Sequence, residues 1–399
     1  MIRILLAVPL LLVSCALPPP TPRETIKIAS LLPRTGSAKQ QTDCIVNAIT
    51  LALERCGYEA GSFRLELVDS DHSEASGSGS WNSAIKKVES TIDALAKDPD
   101  VMVVIGPYNS GVARTALPVF NRAGLLLISP ACTWPGLTKP GLADPGEPGI
   151  YKPTGKISFA RLALADDVQA SAAATWARKN FVKTVYILDD GEIWGKGLAG
   201  TFQEACRKAG IRVLGRESID PKVEDFKSLM ARIKPLDPDL VYFGGTTQTR
   251  AGEIGRDMVA ANLSGRFMVS DGCFEDAFIL AAGAESLEGR CFMTSALIPG
   301  DREEGGHPTF TIPYRRKYGH LPSEHGIYAY EAALVALESI RRAGKKDRDA
   351  IRAACLSIKN FDGALGTWSF DENGDTTLRT VAVYKVRNGK FEFVECVSD

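Results

Sequence analysis

Short apolar runs alternate with amphipathic helical stretches along most of this chain, and no other feature restricts its fold as much. Ile26–Leu32, Phe63–Asp69, Val101–Ile105 and Leu125–Ser129 read as strands, with helices at Asp43–Cys56, Ser83–Lys97 and Val112–Ala123. In Ser83–Lys97 the residues Ile85, Val88, Ile92 and Leu95 recur at helical spacing. Val101–Ile105 (VMVVI) is apolar at every position, as a parallel strand covered on both faces requires. The alternation then restarts. Helices are expected at Gln169–Asn180, Gly197–Ala209, Phe226–Ile233 and Gln248–Ala261, and strands at Thr184–Leu188, Arg212–Gly215, Leu240–Phe243 and Phe267–Ser270. A strand parallel to its predecessor needs a crossover, and the helix supplies it. The order βαβα therefore predicts an α/β fold of parallel sheets with helices on both faces. The 399 residues suit two such sheets. Only the C-terminal stretch GTWSFDENGDTTLRTVAVYKVRNGKFEFVECV departs, with strands joined by Gly-containing turns.

The N-terminus reads as an address. Arg3 precedes an apolar run, Ile4–Val13, that is too short to span a bilayer and has the shape of a secretory signal. It ends in LVSC, which resembles a bacterial lipobox. Residues 1–14 are then a signal peptide, Cys15 is the lipidated first residue, and 15–24 is a Pro-rich tether. No other stretch is apolar for long enough to cross a membrane. A net charge of −1 gives no electrostatic case for nucleic acid or an anionic lipid surface. Export permits disulfides, but the spacings announce no framework. Cys44 and Cys56 share one helix, about 18 Å apart, so they cannot bond each other. Cys273 and Cys291 fall at opposite ends of neighbouring parallel strands. At most one or two bridges are expected. No C-x2-C pair and no metal-ligand spacing is present, and His72, His307, His320 and His325 are scattered, most of them expected to face solvent.

Three motifs bear on chemistry. GKGLAG (195–200) matches a dinucleotide-binding pattern, with Glu217 at the expected distance. It does not abut a strand, however: DDGEIW intervenes, so the glycines are read as shaping a loop and a helix entry. VVIGPYNSGVA (103–113) is a strand, a turn and a helix start, with Ser110 at the N-cap position, where a hydroxyl and backbone N–H groups favour an anion. ISPACTW (128–134) ends the next strand with a hydroxyl and backbone amides that need partners. Two such strand ends in one sheet can converge on one carboxylate, at the edge where open α/β sheets bind ligands.

IKIASLLPRTGSAKQQ, VVIGPYNSGVA, LLLISPACTWPGLT, VYILDDGEIWGKGLA and DLVYFGGTTQTR, in this order, resemble the type I periplasmic solute-binding proteins of the branched-chain amino acid ABC-transporter group. The resemblance implies two doubly wound lobes joined by a three-strand hinge. Lobe 1 would span 25–165 and 297–365, and lobe 2 would span 166–296 and 366–399. It also implies a ligand captured between the lobes for an ABC permease, with no catalytic residue, cofactor or metal. Matched by motif, Ser110, Ala131 and Thr133 hold the ligand carboxylate. Asp166 faces the ammonium, with Asp167 as an adjacent rival, and Asp271 replaces a Glu in the same role. Trp194 covers the ligand. Gln41 and Thr246 stand where tyrosines are expected, which makes the side-chain wall more polar and a leucine-type ligand less suited. Tyr328 and Tyr330 supply the other wall.

Two other functions compete: a sensor of amides or aromatic acids on the same fold, and a nicotinamide-dependent enzyme using GKGLAG. The address generates a first test. Cys15→Ser is expected to release the protein from membranes or to block its maturation, as read by fractionation and intact mass. An unmodified, membrane-free mature wild-type protein contradicts the anchor.

Overall fold

The computed structural model describes residues 23–36, 38–72, 81–140, 144–283, 285–296 and 309–398, with the backbone alone for 81–85 and 324. The signal segment, Cys15, most of the tether and His307 lie outside the described residues. The expected alternation is present. The first half runs β1 (Thr25–Leu32), α1 (Lys39–Arg55), β2 (Glu59–Ala60), β3 (Phe63–Asp71), α2 (Trp81–Lys97), β4 (Val101–Ile105), α3 (Ser110–Arg122), β5 (Leu126–Ser129) and β6 (Phe159–Arg161). The second runs α4 (Asp166–Lys179), β7 (Thr184–Asp189), α5 (Ile193–Lys208), β8 (Arg212–Ser218), α6 (Lys227–Ile233), β9 (Leu240–Gly244), α7 (Ala251–Ala260), β10 (Arg266–Val269), α8 (Asp276–Ala282) and β11 (Cys291–Ser295). The chain then returns through α9 (Thr311–Tyr318), α10 (Glu324–Ala343), α11 (Arg348–Leu356), and a hairpin β12 (Phe361–Gly363) and β13 (Gly366–Trp368). It ends in β14 (Thr380–Arg387) and β15 (Lys390–Ser398).

Two sheets result, ordered β2-β3-β1-β4-β5-β6 and β15-β14-β11-β10-β9-β7-β8. The strands β1, β3, β4, β5 and β6 of the first pair in parallel, as do β7 to β11 of the second. The C-terminal strands β14 and β15 add to the second sheet antiparallel, which accounts for their different sequence pattern. Side-chain alternation assigns each strand to two cores. In β5, Leu126 and Ile128 face the α1, α10 and α11 side, while Leu127 faces α2 and α3. In β9, Leu240 and Tyr242 face α4 and α5, while Val241 and Phe243 face α6, α7 and α8. Both sheets are thus covered on both faces, and the lobes are doubly wound.

Several expectations are revised. Helix α5 starts at Ile193 rather than Gly197, so GKGLAG lies within its first turns and shapes neither a loop nor a helix entry. The stretch 248–261 splits, with a one-turn helix at Thr247–Thr249, Arg250 at φ 73° and α7 after it. All eight described cysteines are free, so the structure shows none of the disulfides allowed for above. His72 is buried rather than solvent-facing, and His325 lines a cavity; only His320 of the described histidines is exposed. The β12–β13 hairpin holds to α10: the buried Glu331 accepts bonds from Trp368 Nε1 (2.6 Å) and the Ala364 N–H (2.7 Å). No helix among the described residues is long and apolar enough to cross a membrane.

Where the chain passes between the sheets, one ion pair is fully enclosed. Arg161, at the end of β6, is 0% exposed and binds Asp375 in bidentate fashion, at 3.0 and 2.8 Å. Its remaining donors reach the Trp134 carbonyl (2.7 Å) and Thr138 Oγ1 (2.6 Å). Burial disfavours the Asp375 carboxylate, but Arg161 outweighs it, and the carboxyl is held below its ordinary range. Asp375→Ala strands this guanidinium in the interior and is expected to cost about 3–5 kcal/mol of stability. Denaturant unfolding measures it; a loss below about 1 kcal/mol contradicts the pairing.

Candidate functional site

Each sheet has one place where successive connections leave in opposite directions, between β1 and β4 in the first and between β7 and β9 in the second. Ligands of open α/β sheets bind beyond the carboxyl ends of the strands at such points. Here the two ends face each other across one cavity of about 310 Å³. The first sheet contributes Gln41 from α1, Tyr108 to Gly111 after β4, and Ala131 and Thr133 after β5. The second contributes Asp190, Glu192 and Trp194 after β7, Thr246, Gln248 and Thr249 after β9, and Asp271 and Gly272 after β10. Gly106 makes the turn after β4 possible. Its φ is +133°, and a Cβ there would lie 2.6 Å from the Leu31 carbonyl oxygen.

Seven of the eight expected binding residues line this cavity: Gln41, Ser110, Ala131, Thr133, Trp194, Thr246 and Asp271. The eighth, Asp166, sits behind the wall, 0% exposed, at the first position of α4. Trp194 joins it to the cavity: its indole N–H donates to Thr133 Oγ1 (2.7 Å) and to Asp166 Oδ1 (3.2 Å). Asp166 Oδ2 is buried with no hydrogen-bond partner among the described residues. The rival Asp167 is engaged elsewhere, by Lys139 at 2.8 Å. Tyr330 does not reach the cavity but packs in the core against Phe310, with ring centroids 5.1 Å apart. Tyr328 lines only a small void behind Ala131 and His325. The wall assigned to these tyrosines is built instead by His325 and Tyr108, edge to face at 5.2 Å, with the Tyr108 hydroxyl donating to Gln41 Oε1.

Two further expectations change. Ser110 is the first residue of α3, and Asn109 holds the cap position; the Ser110 Oγ accepts from the Trp134 N–H at 3.4 Å. The amides of the 128–134 loop are largely satisfied within it, since Ser129 Oγ accepts from Ala131 N (3.2 Å) and Cys132 N (2.9 Å). The Ala131 N–H is therefore shared rather than unpartnered.

Charge is distributed unevenly. Asp190, Glu192 and Asp271, all from the second sheet, line the cavity, and no Lys or Arg among the described residues does. Burial pushes the His325 imidazole down to about 4, so it adds no positive charge. Burial raises the Asp190 carboxyl to about 6. Burial and the neighbouring Asp271 carboxylate raise Asp166, and burial raises Asp271 in turn. Gln169 orients Asp271, donating to its Oδ1 at 3.1 Å and to the Thr294 carbonyl at 2.9 Å. Sequence reasoning missed Tyr108, Asp190, Glu192, Gln248, Thr249 and His325. The acidic DDGE run at the end of β7 was a usable signal. His325 had none, because only tertiary packing brings α10 to Tyr108.

A second contact spans the cleft outside the cavity. Trp134 is fixed by its N–H to Glu147 Oε2 (2.8 Å) and by Arg114 over its ring at 5.1 Å. Its six-membered edge lies against α5 at Gly197, where a Cβ would be 2.4 Å from Cζ3. The glycine is thus explained by close packing across the cleft rather than by a nucleotide.

The sequence pattern described as periplasmic binding protein matches residues 25–390. The chain belongs to this family. Its members are binding proteins, not enzymes. Among its relatives are the Leu/Ile/Val-binding protein BraC3 of Rhizobium johnstonii, 27% identical over 94% of this chain and 95% of that protein. The leucine-, isoleucine-, valine-, threonine- and alanine-binding protein of Pseudomonas aeruginosa is 26% identical, with coverage of 91% and 90%. The solved leucine-binding protein LivK of Thermotoga maritima superposes with a TM-score of 0.78 at 25% identity, covering 94% of this chain and 99% of its own. Closure on a ligand in such a fold should depend on the Trp134–Gly197 contact. Gly197→Val forces overpacking of about 1–3 kcal/mol and is expected to lower ligand affinity about five- to 150-fold without touching the cavity. Calorimetry reads this, and an unchanged affinity would remove the contact from the bound state.

Proposed function

We propose that the protein is an exported, lipid-anchored solute receptor that closes on an amino acid or a related zwitterion and delivers it to an ABC permease. One observation carries this reading: the cavity is acidic on its second-sheet side and offers hydroxyls and a helix N-terminus on its first-sheet side. A ligand ammonium offsets the repulsion between Asp271 and the buried Asp166. A ligand carboxylate takes the hydroxyls of Ser110 and Thr133, with the positive end of α3 behind them. A zwitterion alone satisfies both sides, and so links binding to the approach of the lobes. The relatives' names, which specify amino acids, support the same class. The lobe divisions that fit this mechanism lie near 165/166 and 296/297. The third falls between Thr376 and Thr380 rather than at 365/366, because Glu331 ties the β12–β13 hairpin to α10. Trp194 serves as the cover: its indole already reaches across to Thr133.

The raised carboxyls fix the sign of the pH dependence. In the empty site Asp166 and Asp271 hold protons to higher pH than ordinary carboxyls do, and an arriving ammonium displaces them. Affinity should therefore rise from about pH 5 to about pH 8, by up to about tenfold per pH unit for each proton released. Calorimetry in buffers of different ionisation enthalpy counts the protons. The matching keto acids, which lack the ammonium, should bind far more weakly. Equal binding of a keto acid and its amino acid, or a flat pH profile, contradicts the ammonium role.

A further inference from the structure

If the site takes an amino acid, as proposed above, its acidic wall holds more charge than one ammonium can match. Asp271, backed by Asp166, accounts for the ammonium. Asp190 and Glu192 remain. Among the described residues Asp190 accepts only neutral donors, the Glu192 N–H at 3.0 Å and the Thr249 hydroxyl at 3.1 Å, and is 4% exposed. Its neighbour Asp189, by contrast, takes Arg216 at 3.3 Å. Glu192 makes no ion pair among the described residues.

These carboxylates form one continuous surface. Beyond Asp271, Gly272 lies under Thr246 and Trp194. Thr246 meets Thr249, hydroxyl to hydroxyl at 3.3 Å, and Thr249 donates to Asp190. An extended chain leaving an α-carbon near Asp271 can run along this wall towards Glu192 at the mouth. The opposite wall suits methylenes with a polar end better than a branched aliphatic group. It holds Gln41, Tyr108, Asn109 and His325, and the aliphatic lining is confined to Ala38, Ala131 and Ile193.

We propose that the ligand is a basic amino acid, its side-chain cation held by Glu192 and Asp190. The departure from leucine-type ligands then lies in this chain's own residues: Gln41, Asn109 and Gln248 interrupt the aromatic lining, and its carboxylates have no ion-pair partner among the described residues, where an aliphatic side chain has no charge to offer.

The test is calorimetry of the purified full chain with L-arginine, L-lysine and L-ornithine, against L-citrulline (arginine's neutral near-isostere), L-glutamine, L-leucine and L-glutamate. At least one basic member should bind about tenfold or more tighter than citrulline and leucine. Glu192→Gln should weaken that member about threefold or more, while leaving citrulline within about twofold. Asp190→Asn, which keeps an acceptor for the Glu192 N–H, should weaken it further. Leucine or citrulline binding as tightly as the basic members overturns this inference and leaves the amino acid reading intact. Binding of no member overturns this inference, and binding of none of the standard amino acids overturns both.

Discussion

Asp166 and Asp271 are held at the meeting point of the two sheets with no ion-pair partner among the described residues. Taking one carboxylate out of water is costly, and two near each other add repulsion. Elsewhere the fold shows how it settles such a cost. Arg161 encloses Asp375, and Arg114 sits on Glu147. At the cleft no described residue forms an ion pair with Asp166 or Asp271, and the rest of the site follows from that. Trp194 and Gln169 supply neutral donors that orient the two carboxylates without neutralising them. In the proposed reading a cation brought by a ligand completes the set, so the cost borne by the two carboxylates is offset on binding.

Stiffness around the site makes that exchange effective. The strands that present Ser110, Thr133, Asp190 and Asp271 are covered on both faces, so their ends move only as parts of whole lobes. Arg161 and Asp375 fasten the chain where it passes from β6 towards α4 and from the hairpin towards β14. Two tryptophans reach across the gap. Trp194 enters the cavity wall, while Trp134 lies outside it against a helix made close-approachable by Gly197. In the proposed reading the first contact borders the ligand, and the second gives closure a surface of its own.

Much of the fold was legible because strand periodicity and helix periodicity are local properties. Leu126, Leu127 and Ile128 read as a strand from their apolar run, and the structure assigns them to two cores. The start of α5 was not legible, because glycines read as a break in helix propensity. Only the approach of Trp134 to Gly197, and of the Asp190 side chain to Gly195, explains why a helix tolerates them there. At the site, residues carried by strand-end motifs (Ser110, Ala131, Thr133, Asp271) line the cavity. Asp166 was found but misplaced by one layer, since sequence does not reveal that Thr133 and Trp194 stand in front of it. The backbone amides of the 128–134 loop looked available because Ser129 gave no sign that its hydroxyl would take two of them. His325 comes from a helix far along the chain, and no local pattern marks it.

The central claim is that opposite charges of one ligand are read by opposite sheets. A crystal structure of the protein with the amino acid that binds most tightly tests it directly. The account predicts the ligand nitrogen within hydrogen-bond distance of Asp271, and the ligand carboxylate at the hydroxyls of Ser110 and Thr133. A ligand bound in the reverse sense, or held by one sheet alone with Asp271 unoccupied, would contradict it.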